Sequence, residues 1–287
     1  MFLLGRKQNM TLNIEPFADG FGAHVRGVDF NKPVDDETHS ALLEAFAAHH
    51  ILSFPGQFGL GTSEVVAASR VFGPEMEPHV FTQYHHPDEP LVMVLSNRIK
   101  DEKPAGLKDA GSFWHSDVAY KPEPAKATML YALEIPDEGG DTLFCDMTAA
   151  YDGLSDAMKQ RLDGLKAWHF YAHQKRDLFE TGQVQSPPEC LHPVVRTNPI
   201  SGRKAVYITP SYTVRIDGLP EDESQALMDE IFEHCLQDKY RMDYQWTEGD
   251  LLVWDNAAVM HTATTKKLDP SKYRTLWRTI ISGGPTF

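Results

Sequence analysis

The stretch 112-SFWHSDVAY-120 decides how the rest of the chain is read. Phe113, Trp114, Val118 and Tyr120 around a polar centre give the pattern of a short strand. On a strand, residues i and i+2 face the same side, so His115 and Asp117 could grip one ion. A third ligand of the right type lies far downstream: His261, within 254-WDNAAVMHTAT-264. Two histidines and one carboxylate leave three adjacent positions open on an octahedral metal, a set that suits non-haem Fe(II). Arg274 and Arg278 follow on the last predicted strand. A planar, permanently charged guanidinium there suits a dicarboxylate.

His-x-Asp alone is weak evidence. A chain of this length with 13 histidines should contain about one by chance. A second copy, His86-Pro87-Asp88, is indeed present. Pro87 within it and Pro90 just after it remove ladder donors and mark a turn, so it is expected to lie outside the site.

Composition bounds the rest. The 287 residues suit one large domain, and 41% hydrophobic with 10% aromatic residues can build a substantial core. No repeat or linker interrupts the chain, so residues 12–287 read as a single domain and 1–11 as an N-terminal extension. Met10 is a candidate start, and MFLLGRKQN lacks the long apolar core of a signal peptide. A formal charge of −14 argues against nucleic acid and anionic membrane partners. No apolar run reaches the length of a membrane span. The odd count of three scattered cysteines fits a reducing, cytoplasmic setting. Self-association into a homo-oligomer is compatible with all of this.

Short apolar or alternating runs predict strands at LNIEPF, GAHVRGVDF, ILSFPGQ, LVMVLSN, KATMLYALEI, TLFCDM, LHPVVRT, KAVYIT, TVRI, DLLVWDN and RTLWRTIIS. Helices are predicted from Asp35-Asp36 through ETHSALLEAFAAHH and over 63-SEVVAASRVFG-73, capped by Ser63. Two more are predicted over 155-SDAMKQRLDGLKAWHF-170 and EDESQALMDEIFEHCLQ. Residues 172–190 look irregular and polar. The segment 97-NRIKDEKPAGLKDAGS-112 reads as a loop over the site's mouth. Many short strands with a few peripheral helices predict a mainly β protein, with a jelly-roll core.

With WHSDVAY, GGDT, HPVVRTNPISGRKAVYI, EGDLLVWDN and YRTLWR in this order, the chain resembles the taurine dioxygenase / 2,4-dichlorophenoxyacetate dioxygenase family over about residues 12–282. The resemblance implies a double-stranded β-helix (jelly-roll) core. It also implies Fe(II), with 2-oxoglutarate and dioxygen as co-substrates. The expected reaction hydroxylates a small anionic organic substrate such as an alkylsulfonate, releasing succinate and carbon dioxide. Where the carbon also bears a sulfonate or aryloxy oxygen, the product would collapse to a carbonyl compound. An aryloxyalkanoate or other carboxylic acid is the alternative substrate. A zinc-dependent hydrolase and a non-catalytic jelly-roll binding protein are the remoter readings.

His115, Asp117 and His261 match the family's iron ligands. Thr142, after Gly139-Gly140-Asp141, matches a hydroxyl that bonds 2-oxoglutarate, and Arg274 matches the arginine paired with its distal carboxylate. Arg278, four residues on and on the same strand face, matches an arginine that contacts 2-oxoglutarate and the substrate anion. His79 resembles a substrate-contacting histidine. His49, His50, His169, His173 and His192 read as structural. Two positions depart from the taurine pattern. Gly111 replaces an asparagine, leaving room for a bulkier substrate. Thr82, between Phe81 and Tyr84, stands where an aromatic is expected.

Overall fold

A computed structural model describes residues 12–18, 20–171 and 188–287. The expected extension (1–11) and most of the irregular segment, with His173, lie outside the described residues, as does Asp19 of the turn expected beside Gly20.

An eight-stranded sheet dominates. From edge to edge it runs Asn13–Pro16, Ala23–Arg26, Ile51–Phe54, Leu251–Asp255, Ala127–Glu134, Thr275–Ile281, Glu89–Ser96 and His85–His86. All its pairings are antiparallel except Ala23–Arg26 with Ile51–Phe54. A three-stranded sheet, Arg241–Tyr244, Thr142–Asp146 and Val259–Ala263, faces it. Smaller sheets pair Lys166–His169 with Cys190–Pro193 and Thr213–Ile216, and Val195–Thr197 with Lys204–Val206.

Side-chain alternation sorts the core into three apolar layers. Ile51, Leu252, Trp254 and Leu276 point inward, meeting Phe144 and Val259 of the three-stranded sheet. Their neighbours Leu52, Leu251, Val253 and Ile281 point to the other face. That face is covered by two helices, Asp36–His49 and Thr62–Arg70, through Leu42, Phe46 and Val65. Burial on both faces explains why strands such as LLVWD are continuously apolar. Met260 and Cys145 form the third layer with Leu227 and Ile231 of the helix Glu221–Cys235. Each such side chain contributes about 1.5–3 kcal/mol by leaving water.

Several local expectations hold and three change. Asp35 caps the first helix by accepting from Thr38 N at 2.8 Å. The second helix is capped at Gly61, not by Ser63, whose hydroxyl donates to Glu64 instead. The helix read across 155–170 stops at Leu162, because Gly164 adopts φ +75° and Lys166–His169 then continues as a strand. A short helix, Met147–Asp152, has no counterpart in the sequence reading. Asp146 nucleates it by accepting from Thr148 N and Ala149 N.

The largest change is at the opening stretch. His115 makes a single antiparallel bridge with His261, exchanging both backbone hydrogen bonds at 2.9 and 2.8 Å. The chain then turns over residues 117–120, with Val118 in the left-handed region at φ +60°. His115 and Asp117 are thus brought together by a bridge and a turn, not by strand alternation.

Candidate active site

The inner face of the three-stranded sheet carries His261 in mid-strand and Thr142 at the start of the central strand. Cross-strand pairing puts His261 opposite Phe144 and Ala263 opposite Thr142. The bridge at His115 extends this sheet by one residue and brings the two histidine rings to 4.2 Å, tilted by 42°. His115 Nε2 lies 3.5 Å from Asp117 Oδ1, and His261 Nε2 lies 3.5 Å from Asp117 Oδ2. All three side chains are buried and offer ligand atoms within 4.8 Å of one another. No other such group of histidine, cysteine or carboxylate ligands occurs among the described residues. His86 packs edge-on against Trp277, on the opposite face of the large sheet.

Donor chemistry fits a divalent metal. His115 Nδ1–H donates to the Phe113 carbonyl at 2.8 Å; a carbonyl can only accept, so Nε2 keeps its lone pair for an ion. Burial, reinforced by His115, holds the His261 imidazole neutral, well below the usual histidine range. Burial pushes the Asp117 carboxyl up. The charge of Arg278, with lesser help from the histidines, outweighs it and keeps the group well below the usual carboxylate range. Two neutral imidazoles and an ionised carboxylate are an apt Fe(II) set.

Beside the cluster runs a cleft lined by Leu95, Thr142, Trp254, Arg274 and Arg278. Arg274 is 6% exposed, and its Nε–H has no partner among the described residues. Burial lowers its pKa to about 10, leaving it charged at neutral pH. No carboxylate lies within ion-pair distance of it among the described residues. Thr142 Oγ1 accepts from Trp246 Nε1–H at 3.0 Å and from Arg274 Nη2–H at 3.5 Å. With its acceptor side occupied, the hydroxyl hydrogen is free to be given to a bound oxygen. A buried, unsatisfied guanidinium next to an orienting hydroxyl is what a carboxylate needs.

Arg278 has a partner the sequence did not reveal: its Nη2–H donates to Asp117 Oδ1 at 2.6 Å. It also lines an outer chamber with His79, Phe113, Tyr120, Tyr171 and Tyr212. The rings interlock, Tyr120 lying 4.3 Å from Tyr171 and 5.2 Å from Tyr212. Burial raises the pKa of all three tyrosines, so they stay protonated donors. Tyr120 stood in the opening stretch, but nothing in the sequence joined it to Tyr212 or marked Trp246.

The loop expected over the mouth is there. Leu107, Ala110 and Gly111 border the chamber, and a two-stranded hairpin, Ile99–Lys100 with Lys103–Pro104, precedes them. Gly111 borders the chamber and also lies close against His115. Its φ is +69°, and a Cβ there would fall 2.9 Å from His115 Cε1. Gly111→Ala should therefore cost about 1–2 kcal/mol through the left-handed backbone, and weaken metal binding by displacing His115. Denaturant unfolding and a metal titration check this; unchanged values in both would mean that the loop simply shifts. Among the structural histidines, His192 Nδ1 bonds Thr286 Oγ1 and its Nε2 bonds Lys121 O. His169 is fully buried, with its pKa lowered to about 3 by burial and by His192.

Comparison with known proteins agrees with this geometry. The family described as "Taurine catabolism dioxygenase TauD, TfdA family" matches residues 13–280. The chain is 30% identical over 283 residues to the alpha-ketoglutarate-dependent 2,4-dichlorophenoxyacetate dioxygenase of Cupriavidus pinatubonensis, covering 94% of this chain and 97% of that one. It is 29% identical over 267 residues to a putative alpha-ketoglutarate-dependent sulfonate dioxygenase of Schizosaccharomyces pombe, covering 91% and 67%. The crystal structure of AAD-2 in complex with Mn(II) and N-oxalylglycine superposes with a TM-score of 0.80 at 26% identity, over 97% of this chain and 100% of that one. Family match, full-length likeness and a buried His-Asp-His cluster beside an unsatisfied arginine lead to one conclusion: the chain belongs to the TauD/TfdA family and is an Fe(II)- and 2-oxoglutarate-dependent dioxygenase.

Proposed function

We propose that His115, Asp117 and His261 hold Fe(II), that Thr142 and Arg274 hold 2-oxoglutarate, and that Arg278 with His79 receives the prime substrate. The prime substrate is a small organic anion. The observation that carries this reading is the shared cleft: the metal-ligand cluster, Thr142 and both arginines line one cavity. When bound, iron and 2-oxoglutarate would activate dioxygen, the oxidant for C–H hydroxylation, one oxygen atom going to the substrate and the other to succinate, with carbon dioxide released. The protein's own part is positioning. Arg274 would bind the distal carboxylate and Thr142 would orient the co-substrate beside the ligand cluster. The aromatic wall would exclude water, and Arg278 would fix the substrate's anionic end.

An alkylsulfonate satisfies the charge, as the sulfonate-acting relative suggests. The ring-lined chamber specifically favours a second reading, an aryloxyalkanoate, whose aromatic body would pack on Phe113, Tyr120 and Tyr212. A zinc hydrolase or a binding scaffold would leave Arg274 buried without use. With the family's double-stranded β-helix, the large and three-stranded sheets would be the two walls of one barrel-like domain over residues 12–287. Residues 1–11 would be an extension outside it. A cytoplasmic enzyme without nucleic acid or membrane partners fits the charge of −14 and the absence, among the described residues, of any helix long and apolar enough to cross a membrane.

That charge makes the anion reading testable. A protein this acidic should attract anions only where a pocket is locally positive. Succinate release should couple to sulfonates and aryloxyalkanoates and disappear with their neutral esters or amides. Best turnover of a neutral or cationic compound would overturn the substrate assignment.

A further inference from the structure

The motif 254-WDN-256 ends at Asn256, which lies behind the turn that carries Asp117. Asn256 is 1% exposed and Thr128 is fully buried. Thr128 Oγ1–H donates to Asp117 Oδ2 at 2.7 Å, and Asn256 Nδ2–H donates to Thr128 Oγ1 at 3.0 Å. Asn256 Oδ1 accepts from Asp117 N at 3.2 Å and from Trp254 Nε1 at 3.1 Å. Its backbone carbonyl accepts from Ser116 Oγ at 2.7 Å. One amide therefore grips the ligand turn through its backbone, and through Thr128 it grips the carboxylate as well. It sits on the Leu251–Asp255 strand's end, whose register with Ala127–Glu134 places Trp254 opposite Thr128.

We propose that Thr128 and Asn256 are positioning residues that set the rotamer and orientation of Asp117 for metal binding. This rests on the assignment of Asp117 as a metal ligand. Three features support it. The direction of donation is fixed: an ionised carboxylate can only accept, so the Thr128 hydroxyl hydrogen points at Oδ2 and its lone pair receives the amide. The two carboxylate oxygens are held from different sides, Oδ2 by Thr128 and Oδ1 by Arg278, which leaves little torsional freedom. The turn also needs holding, because Val118 at φ +60° would relax if its neighbours let go. Partners that orient a ligand in this way typically contribute about 10- to 100-fold in metal affinity.

The test is Thr128→Val, which keeps shape and removes the donor, with Thr128→Ser as the conservative variant and Asn256→Ala one bond further out. Binding of Co(II) to the metal-free protein is followed by titration and by its visible ligand-field spectrum, so that the readout is independent of turnover. We expect Thr128→Val and Asn256→Ala to bind about 10- to 100-fold more weakly, with an altered spectrum. Thr128→Ser should match the parent in both. A folded Thr128→Val protein with parental affinity and spectrum would overturn the proposal. So would loss of folding in Thr128→Val and Thr128→Ala alike without rescue by metal, since the hydroxyl would then serve the fold. Failure of the parent protein itself to bind Co(II) would instead sink the metal-site assignment.

Discussion

His261→Ala should abolish succinate formation and metal binding while leaving a folded protein. His261 is the most diagnostic of the three proposed ligands because its removal disturbs no charge: the ring is held neutral by burial and by His115. Its Nδ1 has no partner among the described residues to orphan. What is lost is one of three ligand atoms, and two alone hold iron poorly. Asp117→Ala should be equally inactive but harder to interpret. Asp117 is the buried partner of Arg278, and breaking such a pair costs about 3–5 kcal/mol of stability. The structure already meets a strict geometric requirement, since each imidazole Nε2 lies 3.5 Å from a carboxylate oxygen. That is within the limit of about 4.0–4.4 Å for two atoms each about 2.0–2.2 Å from one ion. Circular dichroism and thermal unfolding establish folding, and anaerobic iron titration with succinate assay establishes function. Near-normal turnover with iron bound in His261→Ala would remove it from the metal site.

Much of this site was legible because its chemistry is concentrated in few residue types at fixed order. His115, Asp117, His261, Thr142, Arg274 and Arg278 all reach one cleft, as their motifs imply. The strands were legible because burial on both faces leaves runs such as ILSF and LLVWD without polar alternation. What was illegible depends on contacts between distant segments. That His115 and Asp117 meet across a turn follows from the long-range bridge to His261, which no local pattern encodes. The ion pair of Arg278 with Asp117 spans 161 residues and Asn256 reaches Thr128 across 128, so neither leaves a periodic trace. Gly111 shows the opposite limit. Its replacement of an asparagine suggests spare volume for substrate, but the left-handed backbone and the nearness of His115, neither visible in the sequence, also favour a small residue there. The helix expected through 155–170 failed for a local reason that was in view, the Asp163-Gly164 pair that ends it.

Arg274→Ala should raise the requirement for 2-oxoglutarate by about 30-fold or more, with little change in that for the prime substrate. Losing one partner of a desolvated, hydrogen-bonded charge pair costs about 2–5 kcal/mol, and 2 kcal/mol is already about 30-fold in affinity. The effect on the protein without co-substrate should run the other way. There the guanidinium is buried, its Nε–H has no partner among the described residues, and it meets the Thr142 hydroxyl at 3.5 Å and the Trp246 ring at 5.9 Å. A buried charge without a counter-ion costs stability, so its removal should leave the unliganded protein as stable as the parent or more so. That opposition separates a binding residue from a structural one. An arginine kept for the fold would lower the unfolding temperature when truncated and leave co-substrate dependence alone. Arg274→Lys sharpens the distinction: it keeps the charge but loses the planar fork, and should recover only part of the affinity. Co-substrate affinity is read from the visible charge-transfer band of the anaerobic ferrous complex, and stability from unfolding without 2-oxoglutarate. Unchanged 2-oxoglutarate affinity in Arg274→Ala would show that the carboxylate binds elsewhere, with Arg278 in the same cleft the next residue to test.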